Sequence, residues 1–165
     1  PLLSTIAASC CSMLNVSSFI SPFAIHVYDN AIIGNIAPKT KASEFKTKLA
    51  NQTSANISDI TIHKANRAIA GDNDYIGTGY YISYAGKTIY LSVLGDLTGD
   101  GIVNTMDVTY LNRIISGNVK LNTNDIKDKL IMLSAIIQNK GNLTTADSET
   151  LLNYIGGNAD MTKYF

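Results

Sequence analysis

The sequence predicts an α+β chain in which a small β-rich module over residues 1–94 is followed by an all-α, three-helix module over residues 95–165. Two observations predict it. Up to Leu94, β-branched and aromatic residues recur in short runs between turn residues, as strands require. From Gly95 onward the hydrophobic spacing lengthens to about 3.6 residues, the helical period.

Taken in order, the strand candidates are Ala24–Tyr28, Ala31–Ile36, Ile57–His63, Tyr80–Tyr84 and Thr88–Leu94. In the last pair Tyr80, Ile82 and Tyr84 alternate on one face and Ile89, Leu91 and Val93 on another, with Ala85-Gly86 as the turn of a β-hairpin. Between the second and third strands, Ala42, Phe45 and Leu49 fall at helical spacing and predict a short amphipathic helix. In the second half a helix runs from Thr105 to Ser116 with Leu111, Ile114 and Ile115 on one face, and Gly117 suits the left-handed position that ends it. A second helix covers Asn124–Ile137 with Ile126, Leu130, Leu133 and Ile137 inward. A third runs from Thr145 to Ile155 and stops at Gly156-Gly157.

Composition narrows the function classes. The formal charge is zero and 45% of residues are hydrophobic, which suits a folded chain. Seven Lys/Arg face five Asp/Glu in residues 1–94, and six face eight in residues 95–165, so neither half carries the basic field that nucleic acid needs. Cys10 and Cys11 are adjacent and cannot close a relaxed disulfide with each other. The first 25 residues contain no charged side chain and could be taken for a signal-peptide core or a membrane span; their frequent Ser, with Asn15 and the prolines toward each end, favour a buried strand or packing segment.

The first and third helices are copies of each other. TMDVTYLNRIISGN (105–118) matches TADSETLLNYIGGN (145–158) at six of fourteen positions: Thr105/Thr145, Asp107/Asp147, Leu111/Leu151, Ile115/Ile155, Gly117/Gly157 and Asn118/Asn158. Gly101/Gly141 extends the match upstream.

Ahead of the first copy, Asp96–Asp107 has oxygen-bearing side chains at loop positions 1, 3, 5, 9 and 12 and glycine at position 6. A hard cation such as Ca2+ takes six to eight oxygens, and a twelve-residue loop can wrap them around it. Asp96, Thr98 and Asp100 would offer side-chain oxygens, Ile102 its carbonyl, Asn104 an oxygen directly or through water, and Asp107 both carboxylate oxygens. Gly101 permits the sharp turn. Thr98 and Asp107 depart from the EF-hand pattern, which has Asp/Asn and Glu there, and a strand replaces the entering helix. Asn104–Asp107 could also cap the helix without metal. Counted back from Asp147, the second copy has Ile136, Gln138 and Lys140 where the first has three oxygen ligands, so one calcium is expected, with Lys140 standing in for some missing positive charge.

Two calcium-type loops, each followed by a helix and joined by a linker helix, resemble the dockerin family, and GDLTGDGIVNTMDVTYLNRIISG is similar to a dockerin first repeat throughout. LSAIIQNKGNLTTADSETLLNYIGG is similar in its helix and degenerate in its loop. IIGNIAPKTKASEF (32–45) and IGTGYYISYAGKTIYLSVLGD (76–96) resemble parts of the X-type modules that precede dockerins. The resemblance implies a non-catalytic, secreted or cell-surface module. Such a module binds a cohesin and anchors its parent protein in an extracellular, cellulosome-like scaffold, with the X-type module as brace. It also implies that the cohesin is contacted by Thr105, Met106, Asn112 and Arg113 of the first repeat and Thr145, Ala146, Leu152 and Asn153 of the second. These unequal faces should favour one docking orientation.

Two other classes compete with this reading. An enzyme finds little support, because His26 and His63 lack partners at ligand spacing, Asp72 and Asp74 lie in a turn-like GDND, and no nucleophile elbow, phosphate loop or zinc signature occurs. A carbohydrate-binding module in the first half, with the helical part as a calcium-stabilised appendage, would use Tyr80, Tyr81, Tyr84 and Tyr90; alternating tyrosines in a hairpin more often pack on cross-strand neighbours.

Overall fold

A computed structural model describes residues 26–28, 32–84, 86–138 and 142–164. The expected segment 1–25, with its adjacent cysteines, and the positions Ala85, Lys140 and Gly141 lie outside the described residues.

Among the described residues, five strands form one mixed sheet in the order β1-β2-β5-β4-β3: β1 His26–Tyr28, β2 Ile32–Ile36, β3 Thr61–His63, β4 Tyr81–Tyr84 and β5 Lys87–Val93. β2 and β5 run parallel, and the other pairs are antiparallel. The register of β2 slips between Ile33 and Ile36, where Asn35 takes a left-handed φ of 54°. That irregularity turns Ile33 and Ile36, three residues apart, into the same core. The α-helices among the described residues are α1 Ala42–Thr53, α2 Thr105–Ile115, α3 Ile126–Ala135 and α4 Thr145–Ile155.

The expected fold class is corrected by this arrangement. The chain does not segregate into a small β module and a separate all-α three-helix unit; it is a mixed α/β fold with helices against both faces of the sheet. α1 buries Ala42, Phe45 and Leu49 on one face, against Ile33, Ile62, Ile82, Leu91 and Val93. α3 lies against β2 and β5 on the other. There the Ser92 hydroxyl donates to the Leu130 carbonyl at 3.0 Å, and the Gly95 N–H donates to the Ser134 carbonyl at 2.8 Å. β5 is therefore buried on both faces at residues 91–93. A run such as Leu91-Ser92-Val93-Leu94 is what a doubly covered strand needs, with Ser92 tolerated because its hydroxyl is bonded.

This packing also changes the faces expected of two elements. α3 turns Leu130, Ile131, Ser134 and Ala135 inward, while Ile126 is exposed and Leu133 only half-buried. The helix serves the sheet on one side and the helical core on the other, with Ile131 and Ala135 joining Leu94, Leu97, Val108, Leu111 and Leu151. In the hairpin, Tyr80, Ile82 and Tyr84 share one core with Ile89, Leu91 and Val93, since paired residues such as Ile82 and Ile89 point the same way. Ile57–Asp59 forms a 3-10 turn instead of strand, because the Asn56 side chain accepts from the Ser58 N–H at 3.2 Å.

Candidate functional site

The loop that joins β5 to α2 is built around two buried carboxylates. Asp96 has no exposed surface. Its Oδ2 accepts the N–H of Thr78 at 2.8 Å and of Gly101 at 3.1 Å, and its Oδ1 accepts the N–H of Gly99 at 2.8 Å. Burial pushes its carboxyl up to about 6 against the pull of those N–H groups, and the like charge of Asp107 adds to the rise. The ion pairs Lys46–Asp72 and Lys64–Asp74 belong to the sheet half and do not involve Asp96.

Asp107 is the clamp of the loop. Its Oδ1 accepts the N–H of Leu97, the N–H of Thr98 and the hydroxyl of Thr98, each at 2.9 Å, and its Oδ2 accepts the Asn104 N–H at 2.9 Å. Asn104 returns the cap, its Oδ1 accepting the Met106 N–H at 2.7 Å. Exposed Asp100 accepts the Ile102 N–H at 2.8 Å, and the Asn104 amide donates to the Ile102 carbonyl at 3.4 Å. Gly99 and Gly101 hold φ values of +80° and +81° against the strand-side segment, where an added Cβ would lie 2.5 Å from the Thr78 carbonyl oxygen and 3.0 Å from that of Tyr75.

Among the described residues no three His, Cys, Asp or Glu side chains are grouped to hold a metal by themselves. The expected calcium donors are a mixed oxygen set, and their fit is partial. Thr98 Oγ1 and Asp107 Oδ1 are 2.9 Å apart, the separation of roughly 3 Å that neighbouring oxygens take on a calcium ion. Asp96 has a lone pair left, and Asp100 lies open to solvent. Asp107 already accepts four hydrogen bonds, three of them crowded on Oδ1, so a cation bound through Oδ1 displaces at least the Thr98 hydroxyl proton, whereas Oδ2, with the Asn104 N–H as its one donor, keeps a lone pair.

The second repeat keeps the clamp. Asp147 Oδ1 accepts the N–H groups of Ile137 at 3.1 Å and Gln138 at 3.0 Å, and Oδ2 accepts the N–H of Thr144 at 2.9 Å and its hydroxyl at 3.2 Å. Each backbone donor stands forty residues after its counterpart at Leu97, Thr98 and Asn104. α2 and α4 pack together, both ending on a left-handed glycine, Gly117 at φ +76° and Gly157 at φ +74°.

Of the eight residues expected to meet a partner, Thr105, Met106, Asn112, Arg113, Thr145, Leu152 and Asn153 are exposed and Ala146 is half-buried. Met106 is 67% and Leu152 48% exposed, so neither is a core residue. Asn153 and Leu152 occupy in α4 the positions of Arg113 and Asn112 in α2, so the structure brings each set onto one helix face.

The tyrosines are engaged within the sheet. Tyr80 is buried, Tyr84 packs against the core, and Tyr81 stacks on His63 with centroids 4.8 Å apart and planes 11° from parallel. Tyr90 is tilted against Tyr81 at 6.1 Å and lines a cleft of about 350 Å3 shared with Leu97, Thr98, Ile126, Lys127 and Leu130.

Two residues of the site escape sequence reasoning. Thr78 meets Asp96 across eighteen positions of sequence, a pairing that no local pattern announces. Gln138 reads as a lost ligand, although its amide donates to the Ala146 carbonyl at 3.3 Å and to Thr150 Oγ1 at 3.0 Å. Comparison with family models, curated proteins and solved structures finds no match for the chain.

Proposed function

We propose that this chain is a non-catalytic, calcium-dependent docking module, similar in kind to a dockerin. It would bind a cohesin and so anchor its parent protein in an extracellular multi-enzyme scaffold. The observation that carries the reading is the duplicated, outward-facing pair of helix faces. Met106 and Leu152 are 67% and 48% exposed on α2 and α4, the helices that follow the two clamped loops, and exposed Arg113 lies two turns along α2 from Met106 on the same face.

Calcium would be held in the first loop by Asp96, Thr98, Asp100, the Ile102 carbonyl and Asn104, with Asp107 sharing the oxygen that now accepts from Thr98. The ion supplies positive charge beside two buried carboxylates. The chain's own residues shape the loop: Asp107 ties its start to α2, and Thr78 holds Asp96 from the sheet side, which is how the sheet half braces the loop. Met106 and Arg113 are the expected energetic anchors, since Arg is enriched in binding hot spots and Met adapts to apolar pockets.

The sugar-binding alternative gains little from the tyrosines, because Tyr80, Tyr81 and Tyr84 are engaged with protein neighbours and Tyr90 alone of the four lines a cleft.

A binding screen of residues 1–165 against a cohesin panel, in calcium and in chelator, tests the proposal. Calorimetry should find one calcium site, and joint Asp96→Ala and Asp107→Ala substitution should abolish both calcium uptake and cohesin binding. Binding that persists unchanged in chelator overturns the calcium-dependent mechanism, and retention of the full chain on insoluble polysaccharide would favour the alternative.

A further inference from the structure

The two loops treat position 3 differently. In the first, the Thr98 hydroxyl donates to Asp107 and keeps an oxygen available to a cation. In the second, Gln138 turns its amide nitrogen toward the helix, donating to the Ala146 carbonyl at 3.3 Å and to Thr150 Oγ1 at 3.0 Å, while Thr150 donates to the same carbonyl at 2.8 Å. A carbonyl can only accept, so the nitrogen end of the Gln138 amide must face it. Asp147 meanwhile has four donors for four lone pairs, two of them the N–H groups of Ile137 and of Gln138 itself. The carboxylate at position 1 of the first loop, Asp96, is matched here by Ile136, so Asp147 faces no like charge from that position. The first loop places the buried carboxylates Asp96 and Asp107 in mutual repulsion.

We infer that Gln138 is a positioning residue that stands in for a cation in the second repeat, latching residues 137–138 to the start of α4 so that this repeat presents its outward face without calcium. The latch joins main chain on one side to main chain and a side chain on the other, and it offers nitrogen donors where a metal would need oxygen. If the docking reading holds, on which this extension rests, the partner meets one calcium-gated face with Met106 and Arg113 and one permanent face with Leu152 and Asn153.

Hydrogen exchange on the full chain, in calcium and in EGTA, tests the latch with no partner present. The Ile137, Gln138 and Thr144 amides should exchange at the same rate in both conditions. Gln138→Met keeps the length and loses both donors, and should speed exchange at those three amides about tenfold, since a lost hydrogen bond is worth roughly one power of ten in an equilibrium. Gln138→Glu should be at least as damaging, because its carboxylate would face the Ala146 carbonyl. Thr150→Val, which removes the second acceptor, should give a smaller acceleration at the same amides. Calcium-dependent exchange there in the unmodified chain, or unchanged exchange in Gln138→Met, overturns the inference. The Leu97, Thr98 and Asn104 amides read the other loop in the same experiment. If calcium leaves them unaffected while Gln138→Met still accelerates 137, 138 and 144, the latch is supported and the calcium reading fails alone.

Discussion

Asp96 and Asp147 are both buried carboxylates that gather backbone N–H groups, but their surroundings assign them different work. Asp96 satisfies Thr78, Gly99 and Gly101 and has a second carboxylate as its electrostatic neighbour. Asp147 closes a local circle with Ile137, Gln138 and Thr144. Replacing either by Ala strands several N–H donors, each costing about 1–3 kcal/mol where no water reaches it. Both Asp96→Ala and Asp147→Ala should therefore lower stability by roughly 3 kcal/mol in urea unfolding with chelator present. Calorimetry should then separate them, with calcium uptake lost in Asp96→Ala and retained at one site in Asp147→Ala. The oxygen-bearing side chains at positions 1, 3, 5 and 9 are legible in the sequence because each is given by its own residue type and spacing. The Asp107 clamp is legible only in part: the capping pattern of Asn104 and Asp107 predicts the bond to Asn104, whereas those to Leu97 and Thr98 depend on how the loop folds back.

At the scale of elements, the connection from β3 to β4 shows how side chains set a local shape. Asp74 Oδ2 accepts the Gly71 N–H at 2.8 Å and pairs with Lys64 Nζ at 2.9 Å. The hydrogen bond from Lys64 holds the Asp74 carboxyl below its ordinary 3.8, with the Gly71 N–H adding to the effect, and the bond to Asp74 raises Lys64 above 10.5. The signs fix a window. A depressed carboxyl contributes stability that is present above its ordinary value and lost as pH falls through the lowered one. A raised ammonium contributes below its ordinary value and loses that contribution as pH rises through the raised one. Asp74→Asn should thus melt slightly below the unmodified chain at neutral pH, and the two melting curves should converge in acid; a difference that persists at pH 2 would argue against the pair. Helices α2 and α4 are readable from sequence because each has its own cap and glycine stop. α3 has a cap too, Asp125 accepting from Lys127 and Asp128, but its inward face was set by two neighbours and does not follow one hydrophobic stripe.

For the whole molecule, the decisive feature is the seam between residues 75–78 and 99–101. An added Cβ at Gly77 would come within 2.6 Å of the Gly99 carbonyl oxygen, 2.9 Å of the Tyr80 ring and 3.0 Å of the Gly101 nitrogen. Backbone on both sides of the seam cannot yield as a side chain could, so Gly77→Ala should cost about 1–3 kcal/mol, the usual cost of overpacking. If the seam braces the loop, the same variant should weaken calcium binding in calorimetry, while Gly86→Ala, strained by a left-handed φ of +75° but with open space around it, should leave calcium binding unchanged. The chain's own order of residues determined most of the strand and helix positions, the forty-residue repeat and the oxygen pattern of the first loop, because period, caps and side-chain type are local properties. Tertiary structure alone decided that β2 and β5 pair in parallel, that α3 closes the back of the sheet, and that Thr78 and Gln138 belong to the site. Those outcomes depend on which distant segments meet, and burial on both faces of β5 leaves a continuous apolar run whose partners the run itself does not name.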